Sequence, residues 1–424
     1  MNIKAGYRNG TDAVIIYCCT GMGLKQSMSK KTTEMNNGHT AGTPAGDKKA
    51  PRRGISLLPA SAIHIIQLMV LLALEMVFVF LLVAVDVIPG KYFAALLGGL
   101  VLLDAVTVFL LRRRSGRWAK VAGSVIGIIV ILAMAAGSYL MVSTFDTLTK
   151  ISSLSTYSTT SEIANKPFNL YISGIDSRQD ISDNAARSDV NMIVTVDPKN
   201  YEVLLTSMPR DSYVPLHMNG EMDKLTHTGV YGIDETVSTV EDWLDVKIDY
   251  YMRVDFKMLV NLVDAVGGID VYNDIDFYSH PKGWHYTKGM KHFTGKQALW
   301  FARERKSFED EDEQRIRNQQ KVVDALIEKL TNSSTLIANY SEILEVVGAN
   351  MQTDMSSKDM SELAKLQIAY MPKWTIKKQW VDGDDAEMGT WSMGPARMRF
   401  VSIPKEESVK KVSKAINDMV NGER

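Results

Sequence analysis

The amino-acid sequence predicts three membrane-spanning helices followed by a soluble domain built as an α/β or α+β sandwich. Three observations lead there. Between residues 63 and 142 lie three apolar segments, each long enough to cross a bilayer. From about residue 167 onward, strand-like runs interleave with segments of helical periodicity. The stretch between them, Thr144–Asn165, is rich in Ser and Thr and reads as a juxtamembrane linker, giving a linker over 144–166.

The elements follow in chain order. Residues 1–53 are weakly apolar and rich in Gly, Thr, Ser, Asn and Lys, the composition of a disordered tail, which is taken to extend over 1–60. The apolar segments Ile63–Val85, Phe93–Leu111 and Val121–Val142 make up a 61–143 membrane region. At the rise of an α-helix each is roughly 28–35 Å long, enough to span the hydrocarbon core. Basic residues precede the first segment (Lys48, Lys49, Arg52, Arg53) and separate the second from the third (Arg112, Arg113, Arg114, Arg117, Lys120). The loop between the first two carries only Asp86 and Lys91. The positive-inside rule then places the tail in the cytosol and everything after about Ser143 outside, a multi-pass cell-membrane protein. A cleaved signal peptide does not fit this pattern. Two acids, Glu75 and Asp104, lie at similar depth inside the spans. They either face each other or a partner as a polar contact, or are neutral and tucked into a helix interface.

Beyond the linker, Phe168–Ser173, Val190–Asp197 and Glu202–Met208 read as strands, the last two joined by a Pro198-Lys199-Asn200 turn. Thr239–Leu244 reads as helix and Tyr250–Val254 as a short strand. Phe256–Val266 has helical spacing and ends at Gly267-Gly268, and Ile269–Tyr272 returns as a strand. Thr294 is placed to cap a helix containing Ala298–Phe301. Longer helices follow over about Glu313–Leu330, Ser334–Gly348 and Ser357–Ala369, then strands near Ile376–Val381 and Met398–Pro404.

Composition narrows the chemistry. The net charge is −1 over 424 residues, so there is no global case for nucleic-acid binding and any anion site must be local. The only two cysteines, Cys18 and Cys19, precede the spans, which leaves the soluble domain without disulfides or thiolate chemistry. Charged and amide residues instead gather at element ends: Asp176 and Arg178; Arg187 and Asp189; Arg210 and Asp211; Asp223 and Lys224; Arg303 and Arg305; Asp312, Arg315 and Gln319. Several arginines with two hard-oxygen donors suit a polyanion held by bidentate guanidinium contacts and Mg²⁺, the equipment of phosphoryl transfer. Ordinary surface salt bridging is the bland alternative. No Walker-type loop is present, so nucleotide-driven chemistry is not indicated.

Six strings carry a resemblance: Ile172-Ser173-Gly174-Ile175-Asp176-Ser177-Arg178, Arg187-Ser188-Asp189-Val190-Asn191, Ser207-Met208-Pro209-Arg210-Asp211-Ser212, Val263-Asp264-Ala265-Val266-Gly267-Gly268-Ile269, Phe301-Ala302-Arg303-Glu304-Arg305 and Asn318-Gln319-Gln320. In this order they resemble the successive motifs of the LytR–CpsA–Psr family, over about Pro167–Thr331. The resemblance implies an α/β fold, an α-β-α sandwich around a central mixed sheet, with a catalytic core at 167–331 and residues 332–424 as the C-terminal part of the extracytoplasmic domain. It implies Mg²⁺ on Asp176 and Asp189, with Asp189 also helping to activate the acceptor. It implies pyrophosphate binding by Arg187, Arg210, Arg303 and Arg305, with Gln319 lining the same site and Arg178, Asp211, Lys224 and Arg315 as further candidates. Phe256, Leu259, Leu262, Val263, Leu299 and Val323 are candidates for an apolar tunnel that takes the polyprenyl tail, or else ordinary core.

The implied reaction moves a polyprenyl-pyrophosphate-linked glycan, an anionic or capsular polymer such as teichoic acid, onto peptidoglycan at the membrane surface. The alternatives are a non-catalytic module that binds the lipid-linked glycan or the wall, and an envelope-linked regulator. A DNA-reading regulator conflicts with the expected topology, which leaves only a tail and a short basic loop in the cytosol. The spacing of His280, His285 and His292 is too irregular for a metal site. Trp374, Trp380 and Trp391 around Asp382–Asp385 are either a glycan-contacting surface or structural aromatics.

Overall fold

A computed structural model describes residues 60–112, 116–152, 161–175, 186–280, 283–309, 311–332, 335 and 339–423. Three helices come first: α1 (Ala60–Val85), α2 (Gly90–Arg112) and α3 (Arg117–Ile151). Each is long and apolar enough to cross a membrane. Leu71, Phe78, Leu100, Val130 and Met134 form the shared core of the bundle. Glu75 and Asp104 are neighbours inside it. Helix α3 differs from expectation. It runs through Thr144–Ile151, residues read as linker, because this stretch packs on the domain instead of hanging in water.

The domain is built on a six-stranded mixed sheet in the order β11-β6-β1-β2-β3-β12. The central strands are β1 (Phe168–Ile175), β2 (Ser188–Asp197) and β3 (Glu202–Met208), paired antiparallel in sequence order. A small hairpin, β4 (Tyr213–Pro215) with β5 (Met222–Lys224), leads into α4 (Leu225–Thr228) and α5 (Ile233–Leu244). Strand β6 (Tyr250–Asp255) lies parallel to β1 and is followed by α6 (Phe256–Ala265). A side lobe follows: β7 (Ile269–Asn273), β8 (Phe277–Tyr278), β9 (His285–Tyr286) and β10 (Gly289–Phe293). Next come α7 (Gly295–Arg303), α8 (Glu311–Thr331) and α9 (Tyr340–Asn350). The chain ends with β11 (Met351–Thr353), α10 (Ser357–Tyr370), β12 (Thr375–Trp380), the hairpin β13 (Gly383–Thr390) with β14 (Gly394–Pro404), and α11 (Glu406–Asn421).

Successive strand residues point to opposite faces, and both faces of this sheet are covered. Tyr171, Ile193 and Leu204 face α5 and α11, where Val240, Leu244, Val412 and Ile416 meet them. Leu170, Met192, Val203 and Leu205 face the other way, toward Val323 of α8 and Met360 and Leu363 of α10. A third apolar body joins α6, α7, α8 and α9 around the rings of Phe277, Tyr286, Phe293 and Phe301. Residues after Asn332 are therefore integral to the sandwich: β11 and β12 form both edges of the sheet.

Topology gathers one edge of the sheet. β1, β3, β6 and β12 all run in the same direction, so their carboxyl ends share an edge with the amino end of antiparallel β2. Open α/β sheets bind ligands at that edge. Close approach helps to build it. A Cβ on Gly229 would lie 2.2 Å from the Ala186 carbonyl oxygen, so a glycine there lets the segment before β2 lie on the turn after α4.

Candidate functional site

The Pro209-Arg210-Asp211 turn leaves β3 at this edge. Arg210 reaches back to β2, where its Nη1 donates to Asp189 Oδ1 at 2.7 Å. Its Nε donates to Asp211 Oδ2 at 3.2 Å, and Lys224 Nζ donates to Asp211 Oδ1 at 2.9 Å. Asp211 is thus a hub between two cations. Its side chain is only 5% exposed, and Lys224 only 13%. Burial pushes the Asp211 carboxyl up, but the Lys224 hydrogen bond and the charges of Arg210, Lys224 and Arg315 outweigh it and hold the group below the usual carboxylate range. Burial likewise opposes the Arg210 charge, and Asp211 and Asp189 overcome it, raising the guanidinium further.

Three anchors hold Lys224 in place. Asp223 accepts from His227 Nδ1 at 2.6 Å and from the Ser392 backbone N–H at 2.8 Å. The Trp391 N–H donates to Met222 O at 3.0 Å, so the tip of the β13–β14 hairpin is bonded to the strand that carries Lys224. At the other end of the hairpin, the Ser402 N–H donates to Asp211 O at 2.9 Å. The hairpin is therefore a wall of the site.

Between them lies a cleft of about 770 Å³. Arg210, Lys224 and Arg305 line it, with Trp380 and Phe400 as apolar surfaces. The other charged lining groups are acids: Asp211, Glu309, Glu313, Asp382, Asp384 and Asp385. Lys405 pairs with Asp382 at 2.8 Å and with Asp384 at 3.3 Å.

Most of the expected residues meet at this edge. Asp189, Arg210, Lys224 and Arg305 do so directly. Arg315, 7% exposed on α8, acts on Asp211 through its charge. Gln319 follows one turn later and is half-buried. Its neighbours hold the helix in register: Gln320 Nε2 donates to Ser207 Oγ at 3.0 Å, and Asn318 Nδ2 to Phe301 O at 3.3 Å. Arg303 lies over the Phe256 ring, 4.5 Å from its centroid, and is not among the cleft-lining residues. Arg187 is exposed just before β2 and does not line the cleft either. Asp176, Arg178 and the Asp312 side chain lie outside the described residues.

The tunnel candidates divide. Leu262 and Val263 are fully packed in the α6–α9 body. Phe256, Leu259, Leu299 and Val323 are half-buried. Each of the three histidines faces a different acid: His280 with Glu304, His285 with Asp276 and His292 with Asp270. Of the tryptophans, only Trp380 lines the cleft. Trp374 packs edge-on against Tyr201, with Nε1 donating to Gln367 at 3.0 Å.

Sequence reasoning found one strand of this wall, Met398–Pro404 within β14, and missed the other. Strand β13 is Gly-Asp-Asp-Ala-Glu-Met-Gly-Thr, with no apolar alternation to mark it. The acidic string Asp382–Asp385 was the one available signal.

Residues 138–414 match the LytR_cpsA_psr family. The chain belongs to that family. Among LytR_cpsA_psr relatives, a polyisoprenyl-teichoic acid–peptidoglycan teichoic acid transferase TagU of Enterococcus faecalis is 32% identical over 200 residues, 47% of this chain and 65% of the relative. The TagT transferase of Bacillus subtilis is 30% identical over 265 residues, 58% of this chain and 81% of the relative. The match thus spans just under two thirds of the TagU relative's length. Among solved structures, protein gbs0355 of Streptococcus agalactiae superposes with a TM-score of 0.53 at 27% identity, covering 62% of this chain and 92% of that one.

Proposed function

We propose that this protein is a phosphotransferase that moves a polyprenyl-pyrophosphate-linked glycan onto peptidoglycan. The observation that carries this reading is the partly buried Asp189–Arg210–Asp211–Lys224 network, centred on buried Asp211 and opening into the cleft. It holds cations with fixed hydrogen-bond geometry at the ligand edge of an α/β sheet, an arrangement suited to phosphate oxygens. The names of the relatives supply the substrate class, teichoic acid on a polyisoprenyl carrier.

The chemistry follows from charge and position. A sugar hydroxyl of the wall attacks the glycan-proximal phosphorus. The new O–P bond replaces the bond to the bridging oxygen, and polyprenyl phosphate leaves with the proton. Arg210 and Lys224 hold the phosphate oxygens and offset the charge that develops there. Asp189, hydrogen-bonded to Arg210, is placed to orient the attacking hydroxyl. Among the described residues that line the cleft, six are acids and three are cations, a balance in which a divalent cation would help a polyanion to bind. The hard oxygen of Asp189 fits Mg²⁺, which typically takes one or two carboxylates plus substrate phosphates. When bound, Mg²⁺ would neutralise phosphate charge and polarise the phosphorus.

Topology supports the same reading. The α1–α2 turn pairs with the domain through Asp86, so both lie at the same end of the helix bundle. The basic residues Arg112, Arg117 and Lys120 flank the opposite loop. The positive-inside rule then puts the domain outside the cell, where lipid donor and wall acceptor meet. In vitro transfer of a polyprenyl-pyrophosphate glycan to peptidoglycan should be abolished by Arg210→Ala and by Asp189→Ala. Full transfer by both variants would sink the proposal in favour of a binding module.

A further inference from the structure

The membrane helices meet the domain at two separate places. The first is the α1–α2 turn. Asp86 pairs with Lys358 and, at 2.7 Å, with Lys365. Ser361 Oγ donates to Val85 O at 3.1 Å, and Lys91 Nζ donates to Ala369 O at 3.0 Å. Residues 358, 361, 365 and 369 follow helical spacing, so one whole face of α10 lies on the turn.

The second is the end of α3. An apolar span to Val142 fills the hydrocarbon core, and the helix then projects roughly 13 Å farther to Ile151. Along that projection the Thr144 and Tyr340 hydroxyls share a 2.6 Å hydrogen bond. Thr147 packs on Gly348, where a Cβ would lie 3.1 Å from Thr147 Cγ2. Ile151, 2% exposed, sits in the same apolar body as Met258 and Leu262, with Leu148 beside it.

That body is only partly closed. Met252, Val254, Leu259, Leu326, Val346 and Val347 pack against it while remaining half-buried. Apolar side chains that stay partly exposed offer an apolar surface to an apolar chain, and α3 joins that surface to the bilayer. A polyprenyl tail drawn through water would expose apolar surface in proportion to its length. A path along α3 keeps more of that surface against apolar side chains.

We propose that the α1–α2 turn and the end of α3 form a docking clamp. It fixes the α9–α10 face on the membrane so that the polyprenyl tail passes from the bilayer into the apolar body along Leu148 and Ile151. This rests on the transferase reading above. On this view the anchor sets the orientation of the domain and forms part of the lipid site, beyond merely tethering it.

The test uses the full chain in liposomes with peptidoglycan acceptor and two donors. One carries a long polyprenyl tail embedded in the vesicle, the other a short, water-soluble prenyl tail, both on the same pyrophosphate-linked glycan. Asp86→Lys should lower transfer from the long-tailed donor by about tenfold, the scale of losing a fixed geometry, and leave short-tailed transfer unchanged. The triple variant Asp86→Lys/Lys358→Glu/Lys365→Glu restores the opposite charges and should recover the long-tailed rate. Equal rates for both donors in Asp86→Lys, whether kept or lost together, or no recovery in the triple variant, would overturn the clamp. No transfer from either donor by the unaltered protein would overturn the transferase reading itself, and the clamp with it.

Discussion

Asp211→Asn tests the inner cleft most directly. The native carboxylate is 5% exposed and accepts from Lys224 at 2.9 Å and from Arg210 at 3.2 Å. Hydrogen bonds to charged groups contribute about 1.5–3 kcal/mol each. Asparagine keeps one acceptor oxygen but presents an NH₂ donor to the second cation. One bond is lost, and one buried cation faces a donor. Removing one partner of a buried pair costs about 3–5 kcal/mol. Arg210 is 30% exposed and stays partly hydrated, which lowers the expected loss. A destabilisation of about 2–3 kcal/mol follows, or a fall in apparent Tm of roughly 4–12 °C for a domain of this size.

The pH dependence has a definite sign. The folded-state pKa of Asp211 is depressed, so its stabilisation is complete above the unfolded value near 3.8 and is lost as pH falls through the folded value. The gap between native protein and variant should be full at neutral pH and should narrow below 3.8. Thermal unfolding of the purified full chain in detergent, followed by tryptophan fluorescence across that range, measures it. An unchanged Tm at neutral pH, or a gap that does not vary with pH, would refute the reasoning.

Chelation with EDTA should stop glycan transfer, and added Mg²⁺ should restore it; undiminished transfer in EDTA would remove the cation from the proposal. Protease added to intact cells should degrade the C-terminal domain while sparing the spans, and a fully protected domain would reverse the proposed topology.

Much of the fold was legible because its signals are local. Phe168–Ser173, Val190–Asp197 and Glu202–Met208 read as strands and emerge as β1, β2 and β3, since strands covered on both faces are apolar almost throughout. The cap at Thr294 is present, with Gln297 completing a capping box. The amphipathic helix α11 was overlooked although Val412 and Ile416 recur at helical spacing. Strand β13 carried no such pattern. It owes its place to pairing with β14, and nothing in its own residues reports that partner.

The site divides along the same line. Sequence alone determined the three spans, their charge asymmetry and the positions of the arginines and acids, because hydropathy, charge and motif are properties of short stretches. Tertiary structure decided which of them act together. Asp189, Arg210, Asp211 and Lys224 converge because the carboxyl end of β3 and the amino end of antiparallel β2 share one edge of the sheet, where the β4–β5 hairpin follows. It also decided that the hairpin after Trp380 walls the cleft and that α3 ends inside the domain it anchors. Those contacts join residues far apart in the chain, and their geometry is set by the packing of sheet and helices.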